Sequence, residues 1–480
     1  MGDNALHRPT ITIMVSNSPR AQPPLEFIPP ALNPWVLATC QRILPLWLHW
    51  QTPIEKVTGK NLDILVRTYE QFQAGQVRFL LAFRHPSVND PYCMGYLFWQ
   101  LLPQAAKAQK VGLDAPLHSH FMYDRGIPLW AGKNIAWLYS RLGGTSIQRG
   151  KLDLPGLRSA RDLLANSPYP LAAAPEGATN GHNEVISPLE PGIAQLGFWC
   201  VEDLQKANRS EAVLLLPVGI QYSYLEPPWI EIETLLSQLE GDCGITASPD
   251  HSLEEPKFYQ RLYHLGEVML DLMENFYRDF YHQDLPKVAQ LQTLLIQNLE
   301  TVQAQPNRLF ALRLKNLLNV ALGVAEQYFN IHAKGELSER CRRLEQAGWD
   351  YIYREDLKPN NPICTVQRGL ADRLAEEAEL RMWHMRIVET FVAVTGNYVQ
   401  EKPTVERFAD TLLLLWDVIT RIKGESAFFR PSLGKQRAQI TIGEPISVTQ
   451  RAPDYKANRR QAVARLTQDL QDSLESLIIH

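Results

Sequence analysis

A histidine and an aspartate five residues apart, His85 and Asp90, have the residue types and spacing for general acid–base chemistry. His85 closes an apolar run, 77–83, that predicts a strand, and Asp90 precedes Pro91, which suits the first turn of a helix. We expect Asp90 to cap that helix, and the short turn to bring the two side chains together. The carboxylate would then fix one imidazole nitrogen and leave the other as a base toward a substrate hydroxyl. By itself, this spacing more often reflects a capping aspartate and an unrelated histidine.

Three other segments contain residues that could contact a ligand. The segment GGTSIQRG combines glycines, which let a backbone approach a ligand closely, with Arg149, whose guanidinium can bind an anion. The segment APEGATN follows a short apolar strand and would present Glu176 and the Gly177 amide at the carboxyl edge of a sheet, where open α/β folds bind ligands. Pro217 lies within the apolar run AVLLLPVGIQY, where a proline marks an edge strand or a bulge. Taken singly, each segment is more simply a loop, a turn or a strand.

Together, the four blocks occur in an order and at a spacing that resemble the glycerolipid acyltransferase family, which includes the lysophosphatidate and glycerol-3-phosphate acyltransferases. The family pattern consists of N-H-x-x-x-x-D, G-x-x-x-x-x-R, F-P-E-G-T-R-S and V-P-V blocks. The corresponding residues here are His85 to Asp90, Gly143 or Gly144 to Arg149, 175–177 and 216–218. The resemblance covers about residues 60–235 and 434–480, and four blocks in the same order make coincidence a poor explanation.

The resemblance implies an O-acyltransferase. His85, oriented by Asp90, would deprotonate a hydroxyl of a lysophospholipid, a glycerol phosphate or a related lipid acceptor. The alkoxide would attack the thioester of an acyl-CoA or an acyl carrier protein, with no acyl-enzyme, no cofactor beyond this co-substrate and no metal. In the family, the motif arginine and the third block position the acceptor, a role that we carry to Arg149, Glu176 and Gly177. Pro217, in the fourth block, is also a candidate substrate-binding residue.

Departures from the family pattern bear on the acceptor. Arg84 stands at the usual asparagine, Ala174 at the usual phenylalanine, and Ala178-Thr179 at the usual Thr-Arg, followed by Asn180. The missing arginine contacts phosphate in the family, and Arg84 is a candidate to supply a substitute charge. Two alternatives follow: a catalytically weak or inactive protein that binds lipid or acyl donor, and a thioester hydrolase that uses water as the acceptor.

Hydrophobic periodicity predicts how these blocks are positioned. Short apolar runs alternate with helical segments up to about residue 233, which favours an α/β layered domain. Spacings of three and four then predict helices at 257–281, 309–329, 369–394 and 405–422. Alternation returns at 438–448, before a last helix at 456–479. We therefore expect a glycerolipid-acyltransferase-like α/β domain interrupted by a large all-helical insertion. Its parts are a Pro-rich extended arm (1–34), a discontinuous α/β domain (35–235 and 434–480) and the helical insertion (236–433).

Composition and charge limit the classes of partner that we expect for this protein. The 480 residues carry 48 Lys+Arg against 52 Asp+Glu, a near-balance that argues against nucleic-acid binding. Six widely spaced cysteines without a C-x-x-C pair indicate reduced thiols in the cytoplasm. No apolar run is long enough to span a membrane, but the tryptophan-rich segment 34–50 suits either the headgroup layer or a docking helix. We expect a cytoplasmic protein on a membrane surface, with an acyl donor thioester, and in one version an acyl carrier protein, as partner.

Overall fold

An α/β architecture with a mostly parallel mixed sheet and about 59% helix is seen in the computed structural model of the chain. The structure describes residues 20–148, 153–246, 255–297, 305–361, 363–391, 398–427 and 430–479. The predicted α/β class is confirmed.

The sheet has eight strands in the order β1-β7-β6-β2-β5-β3-β4, with β8 paired to β6. The strands are β1 Ile54–Lys60, β2 Val77–Phe83, β3 His120–Asp124, β4 Gly144–Ile147, β5 Leu171–Ala173, β6 Ala212–Tyr224, β7 Gln436–Ile442 and β8 Ile446–Ser447. The strands from β6 to β4 in this order are mutually parallel, whereas β7 and β8 run antiparallel to β6. The carboxyl ends of β2, β5 and β4 therefore lie at one edge of the sheet, and the first three blocks follow or end these strands. The fourth block, 216–218, lies within β6, level with the end of β2.

Helices cover both faces of the sheet and fill most of the chain between β6 and β7. They are α1 Pro34–Gln51, α2 Leu62–Gln73, α3 Asp90–Tyr96, α4 Leu102–Gln109, α5 Ile127–Trp130, α6 Lys133–Arg141, α7 Leu154–Asn166, α8 Gly192–Lys206, α9 Trp229–Asp242, α10 Glu255–Asp279, α11 Val288–Gln297, α12 Gln305–Phe329, α13 Leu337–Ile352, α14 Thr365–Phe391, α15 Tyr398–Glu401, α16 Val405–Ile422, α17 Ala452–Ala457 and α18 Arg459–Ser476. A wider helical turn, Leu97–Leu101, joins α3 to α4.

Two apolar cores lie on opposite faces of the central strands. β2 is buried at all of its 7 positions, as expected for a strand that is covered on both sides. Phe79 and Leu81 point into a core shared with α2 and α3, and Leu80 and Ala82 point into a core shared with α8 and α18. This alternation holds β2 rigidly, which matters because the strand leads directly into His85.

The helices between β6 and β7 have a core of their own. Buried side chains from α10, α12, α14 and α16 pack together, among them Leu265, Leu317, Ala375 and Val418. All four helices were predicted from their apolar spacing, although the last predicted residues of α14 lie outside the described ranges. The structure also has a helix that the pattern did not predict, α2, and strands that it did not predict, β1 and β4.

The described part of the Pro-rich arm, residues 20–33, is extended and tied down at both ends. Near its start, the Gln22 N–H donates to the Ile352 carbonyl at 2.7 Å, at the end of α13. Near its end, the Ala31 and Asn33 amides donate to carbonyls of α6, both at 2.8 Å. The arm thus links the helical segment to the edge of the sheet that carries β4.

Pro217 lies in the interior strand β6, so of the two predicted alternatives, an edge strand or a bulge, the edge strand is wrong. It pairs in register with Ala82 of β2 on one side. On the other side, β6 pairs with β8 as far as Leu215 and with β7 from Val218 onward. The proline falls in the gap between these two neighbours, where the Gly443 N–H donates to its carbonyl at 2.9 Å. A missing backbone donor costs least where the strand pairing is interrupted.

Candidate active site

The His85 and Asp90 side chains meet at the carboxyl end of β2. His85 Nδ1 lies 2.8 Å from Asp90 Oδ2, with the histidine side chain 21% exposed and the carboxylate fully buried. The Ser87 N–H also donates to Asp90 Oδ2, at 2.9 Å. Asp90 is the first residue of α3 and does not cap it as predicted; Asn89 stands at the cap, and the carboxylate turns back into the loop. Because a carboxylate only accepts, Nδ1 carries the proton and Nε2 is left as an acceptor.

A tyrosine on the neighbouring strand holds the carboxylate from the other side. The Tyr222 hydroxyl donates to Asp90 Oδ1 at 2.5 Å and lies 3.4 Å from Cys93 Sγ. Burial, reinforced by the nearby carboxylate, raises the pKa of Tyr222 well above its ordinary value, so that the phenol remains a donor. Tyr222 was not predicted as a site residue; its one signal in the sequence is its position at the end of the apolar run 212–222.

Glu176 lies behind His85 and organises the backbone of the site. Its carboxylate accepts from the His85 N–H at 2.8 Å, the Ser187 N–H at 2.9 Å and Asn180 Nδ2 at 2.5 Å. Burial raises the pKa of Glu176, whereas the Arg84 charge and the backbone donors lower it. With three protein donors and only 6% exposure, this side chain connects the first and third blocks, and the geometry makes it a positioning residue.

Gly177 forms the turn after β5 with a φ of +77°, a conformation that favours glycine. A β-carbon there would collide with the side chain of Glu190, which returns to the turn because its N–H donates to the Pro175 carbonyl at 2.7 Å. The Glu190 carboxylate also pairs with Arg342 of α13 at 3.3 Å. The turn is therefore held from both the sheet and the helical segment.

Thr179 supplies a hydroxyl to the free nitrogen of His85. Its Oγ1 lies 3.0 Å from His85 Nε2, and the residue is exposed. Next to it, the Asn180 N–H donates to the His85 carbonyl at 3.1 Å. In the sequence, Thr179 stands out only as a departure at the family's arginine position, and no signal there predicts that its hydroxyl contacts the His85 imidazole.

Arg84 does not carry its charge to the surface, which corrects its predicted role as a substitute phosphate contact. The side chain is 1% exposed and lies under the loop 182–185. Its guanidinium donates to the carbonyls of Asn183, His182 and Val185 at 2.6, 3.2 and 2.9 Å. Burial lowers the pKa of Arg84, an effect that the neighbouring carboxylates oppose. Arg84 supports the loop from below.

Residues of α16 hold the same loop from the other side. The Asp410 carboxylate accepts from the Asn183 N–H at 3.0 Å and from Asn183 Nδ2 at 3.1 Å, and Arg407 pairs with Glu184 at 2.8 Å. Asn183 Oδ1 in turn accepts from the N–H of Tyr222, the residue whose hydroxyl contacts Asp90, at 2.8 Å. A chain of buried polar contacts thus links the helical segment to the loop that follows Thr179.

The remaining candidates lie farther along the sheet. Arg149 lies outside the described residues; Gln148, which precedes it, lies just after β4, three strands from β2. Two further histidines near this end of the sheet, His118 and His120, have ring nitrogens bonded to the carbonyls of Leu142 and Gly143, at 2.8 and 2.7 Å. In the part of the chain that the structure describes, no group of three or more His, Cys, Asp or Glu is placed to hold a metal ion.

An exposed apolar surface adjoins the site. Helix α1 buries Leu37, Leu44 and Leu48 on one side. The opposite side, here named the tryptophan face, exposes Trp35, Ile43, Leu46, Trp47 and Trp50. The Trp47 ring lies 6.5 Å from the ring of Tyr92, two residues after Asp90. An apolar face of this size is typical of an interaction surface.

No protein-family model matches the chain, and no curated protein matches it either. Within the described ranges, none of the helices is both long enough and apolar enough to cross a membrane. Of the four blocks, the first and the third are in direct contact, through Glu176, Thr179 and Asn180.

Proposed function

We propose that this protein is an O-acyltransferase that moves an acyl group from a thioester to a lipid hydroxyl, with His85 as general base and Asp90 as its positioning carboxylate. One observation carries the proposal. His85 Nδ1 lies 2.8 Å from the fully buried carboxylate of Asp90, and His85 Nε2 lies 3.0 Å from the hydroxyl oxygen of the exposed Thr179. That hydroxyl marks where the hydroxyl of an acceptor would bind.

The contacts around His85 support the proton transfers of this reaction. Asp90, held by Ser87 and Tyr222, keeps the Nδ1 proton in place and stabilises the imidazolium that forms when Nε2 takes a proton. The hydroxyl oxygen attacks the thioester carbon, the C–S bond breaks, and the imidazolium returns the proton to the leaving thiol. A positioned base of this kind contributes about 10² to 10⁴-fold in rate.

The fold-level proposal is an acyltransferase-like layered domain, 35–235 and 434–480, interrupted by the helical insertion 236–433. Arg149 and Gly177 are proposed to contact the acceptor. We also propose that the tryptophan face binds a membrane surface, since tryptophan is favoured at the headgroup layer and the exposed Arg42 and His49 border this face. A lipid acceptor in that membrane would then lie close to His85.

The test is an acyl-transfer assay on the full-length protein with labelled acyl-CoA and labelled acyl carrier protein, each offered with a membrane lipid extract. We expect a labelled lipid from the wild type and a loss of at least about 100-fold in His85→Ala. His264→Ala, which removes an exposed histidine of α10, is the matched control and should keep wild-type activity.

Three results would contradict the proposal. Full activity in His85→Ala would remove the proposed base. Release of free fatty acid at a rate that no acceptor changes would indicate a thioester hydrolase. Donor binding without turnover across the lipid extract would indicate a binding protein.

A further inference from the structure

Thr179, His85 and Asp90 form a continuous series of hydroxyl, imidazole and carboxylate. Thr179 Oγ1 is 3.0 Å from His85 Nε2, and His85 Nδ1 is 2.8 Å from Asp90 Oδ2. Exposure falls along the series, from an exposed threonine to a histidine that is 21% exposed and a fully buried carboxylate. This is the arrangement in which proteins activate a hydroxyl as a nucleophile, because the base removes its proton and the buried carboxylate stabilises the resulting imidazolium.

The hydroxyl is held at the base by the backbone on both sides of it. Before Thr179, the chain makes the Gly177 turn at the end of β5. After it, Asn180 donates to the His85 carbonyl at 3.1 Å through its N–H and to the Val185 carbonyl at 2.8 Å through its side chain. The two blocks that carry hydroxyl and imidazole are thus bonded to each other next to the reacting atoms. A β-branched side chain with few rotamers adds to this order.

We propose that Thr179 is the first acceptor of the acyl group, so that the protein works through an acyl-threonine intermediate. This inference rests on the proposed function, but it replaces the direct attack of the lipid hydroxyl on the thioester, and the expectation of no acyl-enzyme that the family resemblance implies, with a covalent step. It also assigns Thr179 as a catalytic residue, at the position where the resembled family has an arginine. The Thr179 hydroxyl occupies the position beside His85 Nε2 in the first half-reaction, and the lipid hydroxyl takes that position in the second.

The two half-reactions balance. In the first, Nε2 takes the Thr179 proton, Oγ1 forms an ester bond with the thioester carbon, the C–S bond breaks, and the imidazolium protonates the thiolate. In the second, Nε2 takes the proton of the lipid hydroxyl, whose oxygen forms a new ester bond. The bond to Thr179 Oγ1 breaks, and the threonine recovers its proton from the imidazolium. No redox partner is required.

The experiment uses the full-length protein and whichever labelled donor supports transfer in the assay above. Without acceptor, we expect a burst of free thiol close to one per protein and an intact mass raised by one acyl group. Peptide mapping should place the acyl group on Thr179. Adding the lipid extract should remove the acyl group from the protein as labelled lipid appears. Parallel lines in double-reciprocal plots of the two substrates are the kinetic counterpart.

Variants of Thr179 test whether this residue is a nucleophile or only part of the loop. Thr179→Ala should lose both the burst and the adduct and transfer at least about 100-fold more slowly, whereas Thr179→Ser should keep both. Thr234→Ala, an exposed threonine of α9, is the matched control and should behave as wild type.

The outcomes distinguish this inference from the proposed function. A wild type that forms lipid product without a burst and without an adduct overturns the acyl-threonine step, whatever the rate of Thr179→Ala, and leaves His85 as the base for direct transfer. Wild-type transfer by Thr179→Ala overturns the step equally. An absence of product, burst and adduct with every donor overturns the proposed function, and this inference with it.

Discussion

Replacing Asp410 with asparagine is expected to remove a pH dependence of stability between about pH 4 and 6. Asp410 is buried on α16, and its ordinary pKa of 3.8 is raised to about 6. Desolvation is the main cause, and the donors from Asn183 and Tyr398 and the charge of Arg430 oppose it. The folded protein therefore holds this proton more tightly than the unfolded chain does.

The size of the effect follows from the two pKa values. A pKa that moves from 3.8 to about 6 corresponds to about 3 kcal/mol of free energy. Because the folded pKa is the higher one, this stabilising contribution is fully present below pH 3.8 and is lost as the pH rises through about 6. Asp410→Asn has no such proton to bind. The free energy of unfolding of the wild type, minus that of the variant, should rise by about 2.5 kcal/mol between about pH 7.5 and 4, because part of the unfolded chain is already protonated at Asp410 at pH 4.

The assay is urea unfolding, followed by tryptophan fluorescence and circular dichroism at several pH values between about 4 and 8. Taking the difference between two proteins cancels the titration of the groups they share. Asp114→Asn, which changes an exposed aspartate on the loop before β3, is the matched control and should track the wild type.

Parallel stability curves for the wild type and Asp410→Asn would refute the reasoning. So would a difference of the opposite sign, with the wild type gaining on the variant as the pH rises through about 6. Either result would mean that Asp410 ionises in the folded protein without a net cost, and that its hydrogen bonds outweigh its desolvation.

The remaining predictions concern the catalytic pair and the membrane. Tyr222→Phe removes a donor to the Asp90 carboxylate. Because a hydrogen bond to a charged group is worth about 1.5–3 kcal/mol, the rate of acyl transfer should fall by about 10 to 100-fold with little change in acceptor KM. An unchanged rate would show that the phenol does not support catalysis. Trp35→Ser combined with Trp50→Ser should lower co-sedimentation with anionic lipid vesicles while leaving the circular dichroism spectrum intact; Leu380→Ser, at an exposed leucine of α14, is the control, and equal binding by all three proteins would exclude the tryptophan face as the membrane contact.

Hydrophobic periodicity predicted the helices and strands that are specified by residues close together in the chain. β2, α10, α12 and α16 were predicted because each has an apolar pattern with its own period, which packing then reinforced. β1 was missed for the opposite reason. Its sequence, IEKVTGK, has only one fully buried residue, Ile54, and it becomes a strand by pairing with β7, whose residues lie far along the chain. A strand at the edge of a sheet carries little periodic signal.

The candidate site shows the same division. His85 and Asp90 are five residues apart on a strand–turn–helix unit, so the chain brings them together without help from distant segments. Tyr222 and Asp410 reach the site across 132 and 227 residues, measured to the partners that they contact, and neither has a spacing that a single sequence can reveal. Thr179 meets His85 across 94 residues because β2 and β5 are neighbours in the sheet.

The sequence by itself determined the α/β class, the period of the main helices and the order of the four blocks, because these depend on residue types at short separations. The tertiary structure decided what each polar side chain does. Arg84, which the sequence offered as a phosphate contact, is a buried support under the loop 182–185. Thr179, an ordinary loop residue in the sequence, contacts the His85 imidazole because the parallel strands β2 and β5 end side by side. Burial and long-range pairing set the chemistry of a group, and neither is a property of its neighbours in the chain.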